Sequence, residues 1–158
     1  MFTAAVLVSS DRAFKGVYPD KSGVYLKEEL ARLGYNVVDY SVVPDDFYTL
    51  KEKLENYVKD EINLVLTSGG TGFSPRDVVP EATKAVIERE VPGVSEAIRA
   101  KSLEITKNAM LSRATSGLKN KTWIINLPGS RKAVEESLEI IAPVLEHGLG
   151  ILLGIADN

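Results

Sequence analysis

Cysteine is absent from this chain of 158 residues, and histidine and tryptophan occur once each. Without thiols there can be no disulfide, no thiolate zinc site and no cysteine nucleophile, a composition that fits a reducing compartment. The single imidazole, His147, argues against a histidine-rich metal centre and against a Ser-His-Asp triad. It lies between an amphipathic segment and a glycine, where it is expected to cap a helix end. Positive charge is also in short supply: the formal net charge is −3 and the pI near 5.3, which argues against nonspecific attraction to nucleic acid. No run approaches the ~18 apolar residues of a membrane span, the longest candidate being the tail from Leu149 to Ala156. The start, Met1 to Ser10, only faintly mimics a signal sequence, since it lacks a basic leader and Asp11 and Arg12 follow at once. It is expected to be a first buried strand of a cytoplasmic protein.

The length suits one domain over residues 1–158, large enough to bury about 70% of the surface exposed by the unfolded chain. Continuous apolar runs bounded by turn residues alternate with segments of helical period, the pattern of a parallel sheet covered on both faces. Strands are predicted over Thr3 to Ser9, Asn36 to Val43 and Ile62 to Thr67. Between them fall a helix from near Ser22 to Leu33, stopped by Gly34, and a second carrying Phe47, Leu50, Leu54, Tyr57 and Val58 on one stripe. Pro80 opens a helix through Glu90, and Pro92-Gly93 breaks it before another through about Lys107. Ala114 to Leu118 and Thr122 to Leu127 read as two more strands. A last long helix buries Val134, Leu138, Ile141 and Leu145. No repeat or linker suggests a second domain.

In an open parallel sheet, ligands bind beyond the carboxyl ends of the strands. Four loops of unusual composition stand there: Ser9 to Ala13, Val43 to Asp46, the glycine-rich Thr67 to Asp77, and Asn126 to Arg131. Gly69, Gly70 and Gly72 let backbone N–H groups approach an anion, with Thr67, Ser68, Thr71 and Ser74 as hydroxyl donors. Asp77 would repel a bare phosphate, so its presence points to a divalent cation between it and the phosphate oxygens. Asp11, Asp45 or Asp46, and Asp77 share one rim, where carboxylates could hold Mg²⁺ against a triphosphate.

Each feature also has a plainer reading. The glycines can be a tight turn, Asp45 or Asp46 and Ser22 can be helix caps, and Pro128-Gly129 an ordinary turn. Arg131 and Lys132 sit at a helix start, where the dipole disfavours them unless an anion binds nearby. The loop lacks the Gly-Lys-[Ser/Thr] ending of a P-loop, and no G-x-G-x-x-G follows the first strand. With no evident protein nucleophile or histidine base, attack by one bound phosphate on another is the natural chemistry.

Several motifs in fixed order then resemble the MogA/MoaB-type molybdopterin adenylyltransferases of molybdenum cofactor biosynthesis. They are Ser9-Ser-Asp-Arg-Ala13, Gly16 to Gly23, Val43-Pro-Asp-Asp46, Thr67 to Gly72 with Pro75-Arg-Asp77 and Pro80-Glu-Ala-Thr83, Met110-Leu-Ser-Arg113, Ser116-Gly117 and Asn126-Leu-Pro-Gly129. The resemblance spans nearly the whole chain. It implies a three-layer αβα sandwich around a mostly parallel, mixed sheet, and transfer of AMP from ATP to the terminal phosphate of molybdopterin with Mg²⁺. It further implies Asp45 and Asp77 as the catalytic, metal-holding carboxylates, with Asp46 the alternative to Asp45. Contacts to nucleotide and pterin are implied at Ser68, Gly69, Gly70, Thr71, Gly72, Ser112, Ser116, Gly117, Asn126, Pro128 and Gly129. A homotrimer and a downstream metal-insertion enzyme as partner are implied too. The competing expectations are a non-catalytic molybdopterin carrier and a related fold acting on another nucleotide.

Overall fold

A computed structural model describes residues 1–156. Six strands form one sheet: β1 (Thr3–Ser9), β2 (Asn36–Val43), β3 (Leu64–Ser68), β4 (Arg89–Glu90), β5 (Ser116–Lys119) and β6 (Thr122–Leu127), in the spatial order β2-β1-β3-β6-β5-β4. β1 pairs in parallel with β2 and β3, and β3 with β6; β5 runs antiparallel to β6 and β4. The helices are α1 (Asp11–Phe14), α2 (Ser22–Arg32), α3 (Phe47–Lys59), α4 (Val79–Val86), α5 (Pro92–Leu103) and α6 (Arg131–Leu152), with a 3₁₀ turn at Lys107–Leu111.

The continuous apolar strands are sorted by the pleat. Ala4, Val6, Val8, Leu64, Leu66, Trp123, Ile125 and Leu127 pack with α2, α5 and α6 on one face, while Ala5, Leu7, Val65 and Ile124 pack with α3 and α4 on the other. The chain leaves β1 for β2 on one side and returns past β1 to β3. Right-handed crossovers therefore set α2 and α3 on opposite faces. This reversal opens a crevice at the carboxyl ends of β1 and β3, where such sheets take their ligands. Among the described residues no helix is long and apolar enough to cross a membrane.

Several local expectations are corrected. The helix from Pro80 ends at Val86 instead of Glu90, because Glu88 N donates to Leu118 O at 2.8 Å and Val91 N to Ser116 O at 2.9 Å, drawing Arg89–Glu90 into the sheet edge. Pro92 and Gly93 begin α5 rather than break a helix, proline being tolerated where no N–H is needed. α5 stops at Leu103, and the chain re-enters a 3₁₀ turn capped by Thr106. β3 starts at Leu64, two residues later than the apolar run, since Glu61 takes a left-handed turn with φ +56°. His147 lies on the exposed side of α6 and caps nothing.

Candidate active site

The ends of β1, β2 and β3 and the turn after β6 surround a cavity of about 780 Å³. Its walls are Ser9 to Ala13 beyond β1, Tyr18 to Ser22 leading into α2, Asp45 beyond β2, Ser68 to Gly70 with Ser74, Arg76 and Asp77 beyond β3, and Gly129 to Arg131 opening α6. Gly69 and Gly70 take φ of +89° and +67°, a region that favours glycine. A Cβ on Gly69 would stand 2.5 Å from the Ser9 carbonyl oxygen, and one on Gly70 2.6 Å from Val79 Cγ2. The loop after β3 thus lies directly against the end of β1, and Gly69 N donates to Leu127 O at 3.2 Å.

Two carboxylates on the rim retain capacity for a cation. Asp45 accepts from Ser9 Oγ at 2.6 Å and from Asp11 N at 3.0 Å, one bond on each oxygen. Asp77 Oδ2 accepts from Ser74 N at 3.0 Å. Both are hard oxygen donors and line the same cavity. Among the described residues no group of three or more acidic or imidazole side chains could hold a metal alone. Hard oxygen donors of this kind are the chemistry with which one or two carboxylates, completed by substrate phosphates and water, bind Mg²⁺. Arg12, Lys21 and Arg131 add positive charge to the walls, and the Arg131 guanidinium sits 4.7 Å over the Tyr25 ring.

Asp11 faces the same cavity but is neutralised by Arg76, whose Nε and Nη2 donate to its two oxygens at 3.1 and 3.0 Å. This hydrogen bonding, then that from the Asp45 amide, lowers the Asp11 pKa to about 2. A folded value below the unfolded one means the pair stabilises the protein fully above the unfolded carboxylate pKa and ceases to do so as pH falls toward the folded value. The difference in Tm between wild type and Asp11→Asn is accordingly expected to hold from neutral pH to about 5 and to close near pH 2. Melting curves across that range check it, and a difference that persists unchanged at the acid end contradicts the assignment.

Asp45 and Asp46 divide their work. Asp46 caps α3, accepting from Thr49 N at 2.9 Å and Thr49 Oγ1 at 2.8 Å, so Asp45 is the one on the cavity wall. Ser22, expected as a cap, is instead the buried first residue of α2. Asp20 does the capping: its Oδ1 accepts from Gly23 N at 3.1 Å and from Ser22 Oγ at 3.2 Å. Ser68 lies under the cavity floor with its hydroxyl donating to Pro128 O at 2.8 Å and meeting Ser22 Oγ at 3.1 Å.

Seven other expected contact residues lie apart from this cavity, three of them within strands of the sheet. Asn126 is fully buried, its Nδ2 donating to Thr67 Oγ1 and Thr83 Oγ1 and its Oδ1 accepting from Thr115 N. Ser116 accepts from Trp123 Nε1 inside the sheet, and Gly117 lets Arg89 approach, since a Cβ there would lie 2.8 Å from the Arg89 carbonyl oxygen. Thr71, Gly72, Ser112 and Pro128 line a second, smaller and mainly apolar cavity of about 290 Å³ with Ile98, Ala109 and Leu111. The glycine loop is consequently a partition: Gly69 and Gly70 face the large cavity, Thr71 and Gly72 the small one.

Arg113 fastens that partition and was assigned no role from sequence. Its amide donates to Thr71 O at 2.9 Å, its Nε to Gly72 O at 2.7 Å and its Nη2 to Asp77 O at 2.7 Å, while Nη1 pairs with Glu81 at 2.6 Å. The only hint was its place in Met110-Leu-Ser-Arg113, because a cation that binds carbonyls leaves no local pattern.

Residues 5–147 match the family described as "Probable molybdopterin binding domain". The chain is 40% identical over 152 residues to a molybdopterin adenylyltransferase of Helicobacter pylori, covering 94% of this chain and 86% of that protein. It is 39% identical over 157 residues to a gephyrin of Dictyostelium discoideum, covering 93% of this chain but 22% of that longer protein. Among solved structures, the Mog protein of Mycobacterium ulcerans superposes with a TM-score of 0.91 at 37% identity, covering 96% of this chain and 99% of that one. With that agreement of sequence and fold, the chain belongs to the MogA/MoaB-like molybdopterin-binding family of molybdenum cofactor biosynthesis.

Proposed function

We propose that this protein transfers AMP from ATP to the terminal phosphate of molybdopterin, releasing pyrophosphate. The observation that carries the reading is the glycine loop standing between two cavities, a large one walled by charged and hydroxyl side chains and rimmed by Asp45 and Asp77, and a small, mainly apolar one beside Thr71, Ser112 and Pro128. A triphosphate suits the first and a flat heterocycle the second, with phosphates meeting at the loop. An oxygen of the molybdopterin phosphate attacks the α-phosphorus of ATP, a new P–O bond forms, and the bond to the β-phosphate breaks.

That nucleophile is already anionic at neutral pH, so the barrier lies in bringing two anions together and bearing charge on the leaving group. Asp45 and Asp77 would hold Mg²⁺, which when bound supplies charge neutralisation to the phosphate oxygens. Arg12, Lys21 and Arg131 offset charge on the polyphosphate, and the backbone N–H groups of the glycine loop orient it. Ser68 and Asn126 act beneath the surface by fixing the Pro128 turn and the β3–β6 junction. A cytoplasmic homotrimer that passes its product to a metal-insertion enzyme accompanies this reading.

The test is to incubate the protein with Mg-ATP and molybdopterin and follow pyrophosphate release together with product mass. Pyrophosphate and adenylylated molybdopterin are expected only when both substrates are present. Molybdopterin retained without any adenylylated product at saturating Mg-ATP would instead make the protein a carrier.

A further inference from the structure

Arg76 directly precedes Asp77, and its free end is held across the cavity rim by Asp11, 65 positions away in sequence. The side chains are 60% and 28% exposed, so the pairing is not enforced by burial. Asp11 also exchanges hydrogen bonds with Asp45: Asp45 N donates to Asp11 Oδ1 at 2.9 Å while Asp11 N donates to Asp45 Oδ2 at 3.0 Å. One carboxylate thereby touches the loop after β2 and the loop after β3. The charges of Asp45 and Asp46 also act on the Arg76 guanidinium. Asp46 is engaged in capping α3. If Asp11 released Arg76, the anion left acting on it that is not already a helix cap would be Asp45, a group that the proposed activity needs for its cation.

We propose that Asp11 is a positioning residue that sequesters Arg76, keeping Asp45 free of an internal cation and open to Mg²⁺ carried by the nucleotide. The inference rests on the adenylyltransferase reading and adds a residue to it. Bidentate pairing satisfies the guanidinium fork and fixes its direction, which a single-point contact would not do. It also explains why Asp11, though on the rim, is not a third ligand: its charge is already balanced. An unpaired guanidinium drawn toward Asp45 is enough to weaken cation binding about tenfold at the effective dielectric of a protein surface.

The test uses calorimetric titration of the full-length protein with α,β-methylene-ATP, which cannot lose pyrophosphate, with and without Mg²⁺, so no turnover is involved. In wild type, Mg²⁺ is expected to tighten binding about tenfold or more. Asp11→Asn keeps an oxygen for the Asp45 amide but loses the ion pair, and is expected to forfeit most of that factor. Adding Arg76→Gln to Asp11→Asn is expected to restore it to within about threefold of wild type, the coupling sign of two groups acting on one site. Arg76 is exposed, so Arg76→Gln alone folds whatever Asp11 contributes, and is expected to keep the Mg²⁺ factor at or above wild type.

A clamp that merely held the loops in place would leave the double variant as impaired as the worse single one, and that result overturns the proposal. So does a full Mg²⁺ factor in Asp11→Asn, or a tenfold loss in Arg76→Gln. Wild type that binds no α,β-methylene-ATP under either condition removes the nucleotide reading itself, and the role of Asp11 with it.

Discussion

Replacing Asp77 by Asn is expected to lower the rate of pyrophosphate release about 10²–10³-fold while leaving the fold intact, the scale seen when one preorganised charge-stabilising group is removed from a phosphoryl or acyl transfer site. The amide oxygen can still accept from Ser74 N, the one hydrogen bond the Asp77 carboxylate receives among the described residues, so the loop has no reason to rearrange. Arg113 also holds this stretch through the Asp77 carbonyl, which the substitution does not touch. What disappears is a negative charge on the rim. The loss should fall mainly on kcat at saturating Mg-ATP, with the unfolding free energy within about 0.5 kcal/mol of wild type, as for a surface substitution. A variant that turns over at the wild-type rate would remove Asp77 from the mechanism.

Asn126→Ala is expected to act in the opposite way, through stability. Its side chain joins three segments: Thr67 on β3, Thr83 on α4 and Thr115 just before β5. All its polar atoms are engaged in a site with no exposure. Truncation leaves two hydroxyls and one amide without their partner in the interior, at about 1–3 kcal/mol for each buried group that finds no replacement. A loss of about 3–5 kcal/mol is therefore expected, read from denaturant midpoints, and is large beside the typical total of about 5–15 kcal/mol for a domain. If Asn126 were instead a ligand contact, the variant would melt like wild type and bind more weakly.

These two residues mark the boundary of what the sequence makes legible. Asp77 follows an apolar strand and three glycines, a local pattern whose chemistry can be read without knowing the rest of the molecule. Asn126 stands in Asn-Leu-Pro-Gly, which reads as a turn, and its partners lie 59, 43 and 11 positions away. β1 and β6 were readable to the residue because a strand covered on both faces is apolar over most of its length, whereas β2, an edge strand carrying Asp39 and Ser41, was readable from Gly34 and Pro44 on either side of it. β4 was not, since Arg89 and Glu90 are exposed and charged and become a strand only through their pairing with Leu118 and Gly117. Asp45 and Asp46 were inseparable in sequence because either could cap a helix; backbone direction decided between them. Arg76 with Asp11, and Arg113 with the glycine loop, join segments distant along the chain and leave no periodic or local signal.

The cavity has no wall that belongs to a single segment. Ser9 to Ala13 depend on β1, Asp45 on β2, Gly69 to Asp77 on β3, and Gly129 to Arg131 on β6 and α6. A fluctuation that detaches edge strand β2, or frays the start of α6, dismantles part of the binding surface even while the central strands stay paired. A ligand bound there is thus linked to several openings at once, subglobal as well as global, and at a hundredfold excess over its Kd suppresses each opening that abolishes binding by about 2.7 kcal/mol. Amide exchange at four separate strand ends would slow together on binding, and the empty protein would be the more locally labile form.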